Sequence, residues 1–133
     1  MLENRRVLVV DDQPCIRELV KQTLELWDED VEVEEAENGM EAVVCLECRD
    51  YGLMICDICM PVLDGFGVLK RARGMESARD MPIIMLTAEA EPENILDGFQ
   101  LGATSYLTKP FNFQELLDTL DAQTSDQALR KAS

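Results

Sequence analysis

Short apolar runs and helix-spaced apolar positions take turns along the whole chain. Val7–Val10, Leu53–Cys56 and Ile83–Leu86 are unbroken apolar runs, and Tyr106-Leu107 is a shorter one. Such runs are the pattern of strands buried on both faces of a parallel sheet. They predict strands over Arg6–Val10, Leu53–Asp57, Ile83–Thr87 (opened by Pro82) and Ser105–Leu107, with a weakly alternating strand at Val31–Ala36. Between the first two strands, Ile16, Leu19, Val20, Thr23, Leu24 and Trp27 recur at helical spacing after Pro14, which suits an opening turn. Asn38-Gly39 turns into a second helix carrying Ala42, Val43 and Leu46. Pro61 and the Asp64-Gly65 turn signal precede a third helix over Phe66–Arg73. A fourth spans Pro92–Leu101 and stops at Gly102, placed as a C-cap. The fifth runs from Asn112 to about Ala122 or beyond, with Phe113, Leu116, Leu117 and Leu120 on one face. The domain therefore covers residues 5–122, and residues 123–133 read as the end of the last helix or a linker stub.

Strict strand–helix alternation predicts a doubly wound α/β fold: a five-stranded parallel sheet with helices on both faces. In such a sheet, chemistry collects beyond the carboxyl ends of the strands. Asp11-Asp12, Asp57, Thr87-Ala88 and Lys109-Pro110 each follow or close an apolar run. The topology therefore brings three carboxylates, a hydroxyl and an ammonium to one end of the sheet.

Three converging carboxylates repel one another and raise one another's pKa values unless a cation joins them. Mg²⁺ suits the site, because it takes oxygen ligands from one or two carboxylates and keeps waters that a phosphoryl oxygen can replace. Lys109 offers a compact positive charge to a second phosphoryl oxygen, and the Thr87 hydroxyl and Ala88 N–H are donors for a third. Asp57, alone at the end of the central run, is the candidate nucleophile for an aspartyl phosphate. Taken singly, each piece is bland: a strand-end aspartate usually caps a helix, as Asp12 can cap the first one here. The signal is the joint occurrence of all four pieces.

Composition narrows the partners. The chain has 133 residues, with 12 basic and 27 acidic ones and a net charge of −15. This charge argues against direct binding to nucleic acid or to an anionic membrane surface. No apolar stretch is long enough to span a bilayer, and Met1–Arg6 lacks the profile of a signal peptide. Cysteines 15, 45, 48, 56 and 59 form an odd set, expected as reduced thiols in a cytoplasmic protein. Cys45-x-x-Cys48 and Cys56-x-x-Cys59 fail the spacing of a zinc ribbon. The Glu32-Glu34-Glu35-Glu37 run is read as a solvated strand edge and the loop after it.

The segments Tyr51–Asp57, Met60-Pro61, Asp64-Gly65, Gly102-Ala103, Tyr106-Leu107 and Lys109-Pro110-Phe111 resemble the CheY-like receiver domain of response regulators in two-component signalling. The resemblance covers about Arg5 to Ala122 and implies a flavodoxin-like sheet of strand order 2-1-3-4-5. It implies that Asp57 accepts a phosphoryl group from a histidine kinase or histidine phosphotransfer protein. Asp12 and Asp57 would bind Mg²⁺ directly, Asp11 mainly through water, and the Cys59 backbone carbonyl would add a ligand. Thr87 and Tyr106 would form the switch pair, with Thr87 drawn toward the new oxygens and Tyr106 turning inward. The Lys109-Pro110 bond would be cis. Cys59 and Glu89, two residues beyond the acceptor and the switch threonine, would tune the phosphoryl lifetime.

The output would be a change in the helix 4–strand 5–helix 5 face, acting on an unidentified partner protein or output domain, with a homodimer through that face as a further option. Such a chain is a regulatory module, not an enzyme with an external substrate. Gln13, Leu63, Gly67 and Cys59 depart from the usual family residues without removing a reactive group. Two rivals fit less well. A dehalogenase-type phosphatase needs an aspartate where Cys59 stands, and a flavin protein needs a Ser/Thr/Gly-rich loop where Asp11–Pro14 stands.

Overall fold

Local chemistry starts each helix where the pattern predicts one, and a computed structural model shows the result for residue 2, residues 4–88 and residues 92–132. The chain runs β1 (Arg6–Val10), α1 (Pro14–Trp27), β2 (Glu32–Ala36), α2 (Gly39–Cys48), β3 (Leu53–Asp57) and α3 (Gly65–Arg73). After a short 3-10 turn at Glu76–Ala78 come β4 (Ile83–Thr87), α4 (Pro92–Leu101), β5 (Ser105–Thr108) and α5 (Phe113–Ala132). The Asn38 side chain accepts from the Glu41 N–H and the Asp64 side chain from the Gly67 N–H, so both satisfy N–H groups that a helix start leaves open. Asp12 does not cap α1: the N-cap is Gln13, with no side-chain hydrogen bond, and Pro14 opens the helix.

All strand pairs are parallel, in the order β2-β1-β3-β4-β5. Alternate side chains of each strand enter opposite layers. Leu8, Val10, Met54, Cys56, Ile83 and Met85 pack with Ala42 and Leu46 of α2 and Val68, Leu69 and Ala72 of α3. Val7, Val9, Leu53, Ile55, Ile84 and Leu86 pack with Val20 and Leu24 of α1 and Leu116 and Leu120 of α5. β1, β3 and β4 are thus sandwiched between two apolar layers, which explains their unbroken apolar runs.

Of the two readings of residues 123–133, the structure shows the end of the last helix, since α5 continues to Ala132. Its Gln, Asp, Ala, Leu, Arg and Lys residues include several good helix formers, and no Gly or Pro interrupts them. The Glu32–Glu37 run is more than a solvated edge. β2 is an edge strand, but Glu34 pairs with Arg6 at 3.1 Å and Arg49 at 2.8 Å and accepts the Tyr51 hydroxyl at 2.8 Å. Glu35 pairs with Arg17 at 3.1 Å. The pattern could not show this, because the cations come from β1, α1 and the end of α2.

Gly102 ends α4 at φ +111°, and the Arg73 guanidinium donates to its carbonyl at 3.0 and 2.6 Å. In the β3–α3 loop, Val62 holds φ +73° and is 81% exposed. A β-branched residue there pays about 1–2 kcal/mol against its own carbonyl. The Leu63 N–H donates to the Pro61 carbonyl at 2.8 Å across Val62, which closes a γ-turn. Val62→Gly is therefore expected to raise stability by about 1 kcal/mol, because glycine takes a positive φ without a Cβ clash. Urea denaturation checks it, and an unchanged or lower midpoint at equal slope would count against the strain.

Candidate functional site

β1 and β3 are adjacent and in register from Val7↔Leu53 to Val10↔Cys56, so Asp11 and Asp57 emerge side by side. Asp11 is fully buried, Asp57 is buried, and Asp12 is exposed. One carboxylate oxygen from each of the three lies within 4.8 Å of the others. The Cys59 sulfur does not join this group; its thiol is exposed two residues beyond Asp57.

Lys109 follows β5 directly and reaches back across the sheet end. Its Nζ donates to Asp11 Oδ2 at 2.8 Å and lies 3.4 Å from Asp57 Oδ1. The backbone that delivers it is tied to β4, since the Lys109 N–H donates to the Thr87 carbonyl at 2.7 Å; the Lys109-Pro110 peptide is cis. The other Asp11 oxygen accepts the Gln13 N–H at 2.9 Å, and Arg17 donates to the Asp11 carbonyl at 2.7 Å. These bonds hold a carboxylate in the interior without any water contact of its own.

The electrostatics are unbalanced. Burial, and then the Asp11 charge, push the Asp57 carboxyl above its usual pKa, and Lys109 only partly offsets them. Burial opposes the Lys109 charge, but the hydrogen bond to Asp11 and the charges of Asp11 and Asp57 outweigh it and hold the ammonium above its usual pKa. Among the described residues Lys109 pairs with Asp11 and Asp57 and not with Asp12, so the three carboxylates outnumber the ammonium set against them. A hard divalent cation fits this donor set, because all three residues offer oxygen and one of them faces solvent.

Thr87 ends β4 and is buried, while Ala88 after it is exposed. Asp57 lies opposite Leu86 in the β3–β4 ladder, so Thr87 stands one residue further toward the open end. Glu89 lies outside the described residues. Tyr106 is set apart from the acidic cluster. It pairs with Met85 across the β4–β5 ladder and packs, half-buried, against the α2–α3 layer. Its ring meets Phe99 of α4 edge-on, with centroids 5.0 Å apart at 64°. Its surroundings in α3 and α4, Phe66, Gly98 and Phe99, escaped the reading of the sequence. The one available signal was a glycine inside a helical pattern, which commonly marks a close approach.

Similarities to known proteins agree with this geometry. The sequence model of the response regulator receiver domain matches residues 7–121. The chain is 38% identical over 112 residues to the DNA-binding dual master transcriptional regulator RpaA of Synechocystis, covering 84% of this chain and 46% of RpaA. It thus spans less than half the length of that relative. The structure of the chemotaxis response regulator CheY4 of Vibrio cholerae superposes with a TM-score of 0.82 at 40% identity, covering 90% of this chain and 98% of CheY4. The receiver domain of the sensor histidine kinase PA1611 from Pseudomonas aeruginosa, with a magnesium ion coordinated in its active-site cleft, gives a TM-score of 0.79 at 31% identity, covering 90% of this chain and 96% of that domain.

Proposed function

Because the chain belongs to the response regulator receiver domain family, the phosphorylation-dependent switch module of two-component signalling, we propose that Asp57 is its phosphoacceptor. The observation that carries this reading is the Lys109 ammonium held between Asp11 and Asp57, beside the Asp12 carboxylate, at the carboxyl end of the sheet. An Asp57 oxygen attacks phosphorus on a phosphohistidine of a histidine kinase or phosphotransfer protein. The O–P bond forms, the P–N bond breaks, and the histidine leaves with its electron pair.

Asp11, Asp12, Asp57 and the Cys59 carbonyl would hold Mg²⁺, which when bound supplies positive charge to the transferring phosphoryl group. The Asp57 burial that disfavours a bare carboxylate makes such a cation welcome. Lys109 pairs with one phosphoryl oxygen as it does now with Asp11, and the Thr87 hydroxyl and Ala88 N–H serve the others. The phosphoryl group adds about −1.5 to −2 of charge at the β4 end, which draws Thr87 toward it and biases Tyr106 and the α4–β5–α5 face. Leu96 and Phe99 of α4 and Phe113 of α5 are exposed apolar residues, suited to an output protein, an output domain or a second copy of the chain.

The module acts as a switch rather than on an external substrate. Its charge of −15 leaves any contact with nucleic acid to an output partner. Among the described residues no helix is long and apolar enough to cross a membrane, and all five cysteines are free thiols, which suits a cytoplasmic setting.

Incubation with Mg²⁺ and a small phosphodonor, followed by intact mass measurement, tests the reading. The expected result is a gain of one phosphoryl group in the native chain and none in Asp57→Asn. No gain in the native chain, or an equal gain in the variant, overturns it. In the same experiment Cys59→Asn and Glu89→Ala are expected to change the decay of the adduct by controlling how the attacking water approaches. An unchanged decay removes them from that role.

A further inference from the structure

Tyr106 reaches from β5 toward α4, and where its ring ends depends on one position of that helix. Gly98 is buried in α4, and a Cβ placed there would overlap the Tyr106 hydroxyl, come within 2.5 Å of its Cζ and lie 3.1 Å from Phe66 Cε1. The phenol tip therefore lies in a slot with the bare Gly98 backbone as its floor, Phe66 of α3 beside it and the Phe99 ring against its edge. Any side chain at position 98 would occupy the volume that the phenol now fills. The atoms in conflict are the far end of a ring that swings about its staggered rotamers, so the conflict is resolved by expelling Tyr106 rather than by bending α4. A glycine inside a helix is otherwise unfavourable, because alanine at the same place loses less backbone entropy.

We propose that Gly98 is the positioning residue of the switch: its missing side chain admits Tyr106 to the slot between α3 and α4, so that residue 98 sets the balance between the inward and solvent-facing positions of the ring. This rests on the receiver reading only for its consequence, the transmission of phosphorylation to the α4–β5–α5 face. The geometry of the slot exists without any phosphoryl group. Burial, and after it the charge of Asp97, push the Tyr106 phenol above its usual pKa, in keeping with a hydroxyl withdrawn from water beside an acidic residue.

The test uses the full chain labelled with fluorotyrosine. Its two tyrosines, Tyr51 and Tyr106, give two fluorine NMR lines, assigned with Tyr106→Phe. In Gly98→Ala the Tyr106 line is expected to show a several-fold rise in relaxation by a soluble paramagnetic agent, with the Tyr51 line unchanged. Melting supplies a second readout that a merely structural glycine would not move. In a Tyr106→Ala background, Gly98→Ala is expected to raise the melting temperature as a better helix former. In the native background the gain is expected to vanish or reverse. A Tyr106 line that stays put, or an equal gain in both backgrounds, overturns the proposal.

With Mg²⁺ and the phosphodonor, Gly98→Ala is expected to gain mass as the native chain does, while its Tyr106 line no longer responds. A mass gain with an unaltered Tyr106 response in Gly98→Ala also overturns the proposal. A native chain that gains no mass refutes the Asp57 reading instead, and leaves the slot to be judged on the exposure and melting results.

Discussion

Lys109→Ala is expected to destabilise the metal-free protein by about 2–3 kcal/mol at neutral pH, with the deficit shrinking in acid. Breaking a fully buried ion pair by removing one partner costs about 3–5 kcal/mol, because the other charge stays in the interior uncompensated. Asp11 meets that condition, with none of its side chain exposed, while the Lys109 side chain keeps 15% exposure, which places the expected loss below that range. The sign of the pH dependence follows from Asp57. Its carboxyl pKa is raised in the folded state, so the folded chain holds a proton that the unfolded chain has released, and stability falls as pH rises through that window. Lys109 is the group that lowers the Asp57 pKa, so its removal widens the window and steepens the fall. Below an unfolded-state carboxylate pKa of about 3.9 the Asp57 contribution disappears. Urea denaturation at several pH values between acid and neutral, without divalent cations, measures the difference, and Mg²⁺ is expected to recover part of it. A deficit that is the same at every pH would show that Lys109 contributes packing rather than charge.

Gly65→Ala carries the other large effect. The added carbon would overlap the Asp57 carbonyl oxygen and lie 2.7 Å from Ile58 Cα and 2.9 Å from Met85 Cε. Two of these three are backbone atoms of Asp57, which ends β3, and of Ile58, which follows it, and the Gly65 N–H already donates to the Ile58 carbonyl at 2.8 Å. Neither side can yield without moving β3 or α3. Forcing extra volume into such a contact costs about 3 kcal/mol, or roughly 10 °C in melting temperature for a domain of this size. Because the displaced atoms belong to Asp57 and Ile58, phosphoryl acceptance is expected to fall together with stability. Gly74→Ala is the control: at the exposed end of α3 its added carbon meets nothing closer than 3.5 Å, and its φ of −83° suits any residue. It is expected to stay within about 0.5 kcal/mol of the native chain. Equal melting temperatures for the two variants would show that the approach of α3 to β3 is not tight.

The strands were legible because three of them are buried on both faces, and such burial leaves no polar position in the run. The meeting of Asp57, the acidic pair and Lys109 was legible for a related reason: in alternating β-α chains the carboxyl ends of the strands must share one edge of the sheet. What stayed hidden depends on residues far apart in the chain. Glu34 reads as a solvated acid beside its neighbours, yet Arg6, Arg49 and Tyr51 gather on it.

The sequence by itself determined the alternation, the family and the set of reactive groups, since these follow from apolar periodicity and residue identity at strand ends. The tertiary structure alone decided how those groups divide the charge and where Tyr106 rests. Asp11 is buried and bound to Lys109 while Asp12 faces water, although the two are adjacent and chemically identical. Tyr106 rests over Gly98, because a helix from elsewhere in the chain offers it a surface without a side chain. Burial and close approach are properties of the packed whole, and no local pattern of hydrophobic and polar residues encodes them.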